Sequence, residues 1–135
     1  MTVMLDTDIC IYTIKRKPIR VLKRLETCQP GTVVMSVVTF AELVSGAKKS
    51  QYVEENLRRL NALSELIDVL SFDKNAAMAC GDVRSDLEKR GLIIGGNDLF
   101  IAAHALSLNM ILVTNNQSEF SRVKGLKIEN WAEDE

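Results

Sequence analysis

Hydrophobic residues in this chain occur in two patterns: short continuous runs, and longer stretches where they recur every three or four positions. The continuous kind, at residues 2–5, 32–38, 67–70 and 110–113, suits strands covered on both faces. The periodic kind predicts amphipathic helices. One helix spans residues 7–17 through Ile9, Tyr12 and Ile14, and Pro18 starts another through Ile19, Val21, Leu22 and Leu25. After a turn at Pro30-Gly31 and the strand at 32–38, Thr39 and Glu42 stand at capping-box spacing ahead of Leu43 and Val44. Residues 51–66 predict a longer helix, with Val53, Leu57, Leu60, Leu63 and Leu66 on one stripe and Glu54, Glu55, Arg58 and Arg59 outward. Asp73 reads as the N-cap of a helix through Ala76, Ala77, Cys80, Val83 and Leu87, stopped by Gly91. The loop 92–98 opens a helix carrying Leu99, Ile101, Ala102, Ala105 and Leu106; a short helix at 117–120, an edge strand at 127–128 and a core-sealing Trp131 complete the chain. Strand and helix alternate throughout. The expected architecture is therefore α/β, one domain over residues 1–135, with a mainly parallel central sheet and helices on both faces.

Composition narrows the class. The length suffices for one core, and 47% hydrophobic with 26% charged residues is the balance of an ordinary soluble chain. No apolar run approaches the ~20 residues of a membrane span, and no signal peptide is visible, so the expected location is the cytoplasm. Cys10, Cys28 and Cys80 lie far apart with no C-x-x-C pair, which fits neither a zinc site nor a disulfide framework. The net charge of −1 argues mildly against a nucleic-acid-binding domain. Its distribution is uneven. Lys15, Arg16, Lys17, Arg20, Lys23 and Arg24 form a run without acids, whereas the C-terminus ends in Glu133, Asp134 and Glu135. The basic run reads either as a solvated helix face or as an RNA-binding patch beside Asp6.

Candidate chemistry lies at the ends of the apolar runs. Asp6 and Asp8 follow the first strand, Glu42 the second, and Asp98 the Gly95-Gly96 loop; Thr114, Asn116 and Glu119 follow the strand at 110–113. In a parallel sheet these ends share one edge, where ligands bind. Carboxylates crowded there repel one another, and a hard divalent cation with oxygen ligands, Mg²⁺ or Mn²⁺, relieves the repulsion. Such a cation activates water and stabilises charge on a phosphodiester. Each acid also has a structural alternative: Asp6 and Asp98 as helix caps, Glu42 as the capping-box partner of Thr39, Glu119 as a surface residue. His104, the only histidine, reads as a packing residue on an apolar helix.

The motifs Met4-Leu5-Asp6-Thr7-Asp8-Ile9, Ser36-Val37-Val38-Thr39-Phe40-Ala41-Glu42-Leu43, Ile94-Gly95-Gly96-Asn97-Asp98-Leu99 and Leu112-Val113-Thr114-Asn115-Asn116, in this order and spacing, resemble those of PIN-domain proteins. The likeness is greatest to the VapC toxins of VapBC toxin–antitoxin modules and covers residues 1–131. It implies a three-layer α/β/α fold and a Mg²⁺- or Mn²⁺-dependent endoribonuclease toxin. The substrate it implies is RNA: tRNA, notably initiator tRNA in the anticodon stem-loop, or ribosomal RNA. It implies inhibition by a VapB antitoxin whose C-terminal segment fills the toxin groove, and a homodimer or a larger toxin–antitoxin assembly. The family's acids correspond to Asp6, Glu42 and Asp98, with Asp6 and Asp98 as metal ligands. Many relatives carry Asp at the position of Asn116, so Glu119 is expected to supply the missing charge; they usually carry Asn at Asp8. Asp8, Thr114 and Asn116 are then outer or substrate-contacting residues. A competing reading is a haloacid-dehalogenase-type phosphohydrolase with Asp6 as nucleophile and Asp8 as general acid/base. It leaves Glu42 without a role. A third is an inactive binding module that uses metal for stability alone.

Overall fold

The computed structural model describes residues 2–133; Met1 and the acidic Asp134 and Glu135 lie outside the described residues. The order is β1 (Val3–Leu5), α1 (Thr7–Lys15), α2 (Ile19–Glu26), β2 (Val33–Ser36), α3 (Val37–Lys49), α4 (Val53–Leu66), β3 (Asp68–Leu70), α5 (Lys74–Arg90), α6 (Gly96–Ser107), β4 (Ile111–Val113), α7 (Gln117–Phe120) and β5 (Ile128–Glu129). The five strands form one sheet in the order β3-β2-β1-β4-β5, and every pairing is parallel.

Side-chain alternation along the strands divides the core in two. Met4, Val34 and Leu112 point to one face, where they meet Cys80, Val83 and Leu87 of α5 and Leu99, Ile101 and Ala102 of α6. Val3, Leu5, Val33, Met35 and Val113 point to the other, against Ile9, Val21, Leu60 and Leu63 from α1, α2 and α4. Three layers result, as expected. Trp131 is buried in the second cluster. Among the described residues no helix is long and apolar enough to cross a membrane, and the three cysteines are free thiols.

Three local expectations need correction. The apolar run at 32–38 is not all strand: β2 stops at Ser36, whose hydroxyl caps α3 by accepting from the Val38 amide at 3.1 Å. The Thr39–Glu42 capping box therefore does not form; Thr39 is buried within α3. Leu66, assigned to the buried stripe of α4, is 80% exposed, because the helix ends there and Ile67 takes the core position.

Topology places the site. From β1 the chain moves to β2 and β3 on one side of the sheet, then crosses to β4 and β5 on the other. The reversal leaves a crevice beyond the C-terminal ends of β1 and β4, the usual ligand position in an open parallel sheet. Leu5 pairs with Val113, and the next amide, that of Asp6, donates to the Val113 carbonyl at 3.0 Å. Asp6 and Thr114 are thereby held side by side.

Candidate active site

Asp6 serves as both cap and wall. Its Oδ1 accepts from the Ile9 amide at 3.0 Å, capping α1, a contribution of about 1 kcal/mol. The residue is only 4% exposed. It borders a crevice of about 240 Å³ lined by Asp6, Thr7, Asp8, Glu42, Asp98, Asn116 and Phe120. Asp8, one turn position on, is exposed at the rim.

Glu42 lies in the second turn of α3, too far along the helix to act as a cap. Instead its Oε1 accepts from the Thr7 hydroxyl at 2.6 Å, with Thr39 Oγ1 3.5 Å from Thr7. That bond orients one carboxylate oxygen and leaves Oε2 without a protein partner among the described residues. Asp98 is also not a cap. Helix α6 begins at Gly96, its N-cap position is Gly95, and Asp98 sits inside the first turn, where a negative charge meets the positive end of the helix.

Glu119 closes the set. Its Oε1 accepts from the Gly95 amide at 2.7 Å and its Oε2 from Asn116 Nδ2 at 2.8 Å, and it shares a hydrogen bond with Asp98. A methyl group at Gly95 would lie 3.5 Å from Glu119 Oε1 and 3.6 Å from Asp98 Oδ2, so this glycine stands between the two carboxyls. Thr114 is fully buried; its Oγ1 accepts from the Asn116 amide at 2.8 Å, and its hydroxyl bonds to Asp6.

Charge distinguishes this crevice. Burial pushes Asp6 up to about 6; the Thr114 and Ile9 hydrogen bonds oppose the rise, and Asp8 and Glu42 add to it by repulsion. Burial also pushes Asp98 up to about 7, helped by its hydrogen bond to Glu119 and by repulsion from Glu119, Asp6 and Glu42. Glu119 moves the other way. Burial raises it, but the Gly95 amide, Asn116, Asp98 and the Arg122 cation together bring it below the ordinary carboxylate range. Burial and repulsion thus favour the protonated form of Asp98, whereas the hydrogen bonds around Glu119 favour its charged form.

The donor set suits a hard cation. All candidate ligands are oxygens, and their mutual repulsion is what a bound cation removes. Among the described residues no group of three or more His, Cys, Asp or Glu side chains is placed to hold a metal ion. Mg²⁺ keeps several waters and is commonly bound through one or two carboxylates plus substrate phosphate, and two of the carboxylates lining this crevice, Asp6 and Asp98, would supply that number.

The expected basic patch is not at the crevice. Lys15 ends α1, nine residues long and so about 13 Å from end to end; it lines a neighbouring groove that shares Glu42 as a wall. Arg16 faces a different groove with Leu22, Leu25 and Leu66, and neither Lys17 nor Arg20 lines the crevice. His104 is buried away from the site and bonded to Ser36 Oγ at 2.7 Å, as its reading as a packing residue required. Thr7, Gly95 and Arg122 were not singled out from the sequence. Thr7 adjoins Asp6 at the first helical position, and Glu119 and Arg122 share an i, i+3 spacing; those were the available signals.

Residues 3–126 match the family model described as PIN domain. Over 96% of this chain and 97% of its own length, a Shigella flexneri protein named tRNA(fMet)-specific endonuclease VapC is 46% identical. Ribonuclease VapC2 of Haemophilus influenzae is 43% identical over 95% of this chain and 96% of its own. Among solved structures, that of VapBC2 from Rickettsia felis, bound to a promoter DNA fragment, superposes with a TM-score of 0.92 at 39% identity, covering 97% of this chain and 99% of that one. A nontypeable H. influenzae VapBC-1 structure gives 0.90 at 40% identity, covering 98% and 100%. These matches give the haloacid-dehalogenase reading no support. The chain belongs to the PIN-domain family and, within it, to the VapC group.

Proposed function

We propose that this protein is a Mg²⁺- or Mn²⁺-dependent endoribonuclease, the toxin of a VapBC module, that cuts tRNA and is restrained by a VapB-type antitoxin. The observation that carries the reading is the crevice at the β1/β4 switch point. Acids from separate segments meet there with two carboxyls, Asp6 and Asp98, driven toward neutrality by burial and by neighbouring acids. The relatives' names support RNA as the substrate and initiator tRNA as the first target to test. Neighbouring structures of VapBC complexes support the antitoxin partner and a toxin–antitoxin assembly. A toxin that acts on tRNA works in the cytoplasm.

Asp6 and Asp98 would hold the cation, which when bound supplies a water nucleophile at neutral pH and charge neutralisation for the phosphodiester. Glu42, fixed through Oε1 by Thr7, keeps Oε2 available to accept a proton from an attacking water. Glu119, fixed by Gly95 and Asn116, keeps the Asp98 carboxyl in place. Phe120 and Thr114, both buried, close the floor beneath the acids. Asp8 at the rim sets the charge that an incoming phosphate meets.

The test is cleavage of bulk tRNA, and of initiator tRNA alone, by toxin freed of antitoxin. Discrete fragments are expected with Mg²⁺, none in EDTA, and none when the antitoxin is restored. Equal cleavage in EDTA would overturn the cation's role, and equal cleavage with and without antitoxin would overturn the partner's.

A further inference from the structure

The crevice poses a problem for its own substrate. Its lining includes Asp6, Asp8, Glu42 and Asp98 and no Lys or Arg, so a phosphodiester strand approaches a negative field. From the basic run at 15–24, Lys15 and Arg16 line two other grooves. Among the described residues, the cation whose charge acts on Glu119 is Arg122. It follows α7, and its amide donates to the Glu119 carbonyl at 3.2 Å, so acid and cation share one turn. Both reach the same loop from that turn. Glu119 takes the Gly95 amide at 2.7 Å, and Arg122 Nη1 donates to the Ile93 carbonyl at 2.9 Å. The loop 93–95 that leads into Asp98 is thus clamped from two sides.

A clamp onto a carbonyl needs one neutral donor. Arg122 brings a full charge and five N–H donors in a planar fork, and one of its nitrogens is used. Other cations are committed to acids: Arg90 and Lys124 to Asp86, Arg24 to Glu129, Arg59 to Glu55. Arg122 forms no ion pair among the described residues, although its charge is felt by Glu119. A half-buried guanidinium, anchored on one edge and unpaired beside a carboxylate crevice, fits the planar, doubly accepting geometry of a phosphate.

We propose that Arg122 is a phosphate-binding residue of this protein, which receives through its unbonded edge a backbone phosphate of the RNA strand lying across the crevice mouth. The proposal rests on the ribonuclease reading for the identity of the strand, and its test separates the two. The probe is a labelled single-stranded RNA oligonucleotide spanning the initiator-tRNA anticodon loop. Its affinity for the full chain is measured by anisotropy in Mg²⁺ on ice, and kcat and KM are measured at 37 °C.

Arg122→Gln keeps a donor for Ile93 and loses the charge. It is expected to weaken binding about tenfold, to lower the slope of log affinity against log salt by about 0.7 to 1, and to raise KM with kcat within about threefold. Arg122→Lys keeps the charge and is expected to bind within about threefold of wild type with an unchanged salt slope. The position lies on a half-exposed surface turn, so both variants are expected to melt within a few degrees of wild type. Unchanged affinity and salt slope in Arg122→Gln would overturn the proposal. So would a fall in kcat at constant KM, which would make Arg122 a loop clamp alone. If neither variant folds, Ile93→Pro, which moves the clamped carbonyl but keeps the arginine, must retain the wild-type salt slope, and its loss would count against the proposal. A wild type that binds RNA with the Arg122-dependent slope but never cuts it would sink the ribonuclease reading alone; a wild type that binds no RNA would sink both.

Discussion

Two polar clusters lie at the C-terminal ends of neighbouring strands, and they resolve burial differently. At the end of β2, Ser36 Oγ accepts from the Val38 amide and meets His104 Nδ1 at 2.7 Å, while the ring also hydrogen-bonds the Ser71 backbone and stands edge-on to Phe72 at 5.3 Å. Burial lowers His104, outweighing the pull of Asp73 and the Ser71 bond, so the ring stays neutral. Its neutral form satisfies every partner. At the ends of β1 and β4, burial likewise favours the neutral forms of Asp6 and Asp98, but neighbouring acids supply the charge and, among the described residues, no Lys or Arg lines the crevice. Hydrogen bonding is not the difference, because among the described residues every buried side-chain polar atom has a partner. The first cluster is complete as folded and ties α3 to α6. The second keeps a repulsion that a positive charge from outside would relieve, and perturbed carboxyls in a crevice are the pattern of a functional site.

The sharpest way to break this contrast is Asp98→Asn. With the fold checked by circular dichroism, Mg²⁺-dependent RNA cleavage is expected to fall by about 10³-fold or more, and Asp6→Asn should behave alike. A folded mutant that still cuts RNA would remove the crevice from the chemistry. His104→Ala probes the other side. It strands Ser36 and is expected to cost about 1–3 kcal/mol of stability by urea unfolding, with KM unchanged; a selective rise in KM would give His104 a role at the site.

Charge can be separated from chemistry by thermal melts in EDTA. A carboxyl raised to about 7 in the folded protein, against ~3.9 unfolded, favours folding below the unfolded value, and that favour is lost as pH rises through 7. Asn carries no such dependence. Asp98→Asn is therefore expected to melt above wild type at pH 8, with the gap closing toward pH 4. A gap that ignores pH would contradict the assigned repulsion. The smallest effect is expected for Asp8→Asn. It lies at the exposed rim, and Asn keeps its size while removing one repelling charge, so cleavage should stay within about tenfold, or ~1.4 kcal/mol in barrier. Loss equal to that of Asp6→Asn would move Asp8 among the essential acids.

The sheet was legible because strands buried on both faces leave uninterrupted apolar runs; Asp6 and Glu42 stood out because they come after such runs, and Asp98 because it follows the Gly95-Gly96 loop. Periodicity could not show where strand gives way to helix. Val37 and Val38 continue the run at 32–38 in composition, and the Ser36 cap ends the strand ahead of them. Leu66 has the right spacing for the core, but helix α4 ends on it. Glu42 fitted a local capping box equally well; the earlier start of α3 at the Ser36 cap and a bond to Thr7, 35 residues away, decide against that. The basic run is dense in sequence, yet Lys15 and Arg16 line two different grooves, whereas the bond of Arg122 to the Ile93 carbonyl spans 29 residues of chain.

The central claim is that the crevice is completed by a divalent cation, and Mn²⁺ titration calorimetry addresses it without any RNA. At pH 6.5, in buffers of differing ionisation enthalpy, binding should release a proton from the Asp98–Glu119 pair. The release should fade at pH 8.5, and Asp98→Asn should lose both the binding and the proton. Mn²⁺ binding that is absent in the wild type, or that survives Asp98→Asn with the same proton release, would contradict the account.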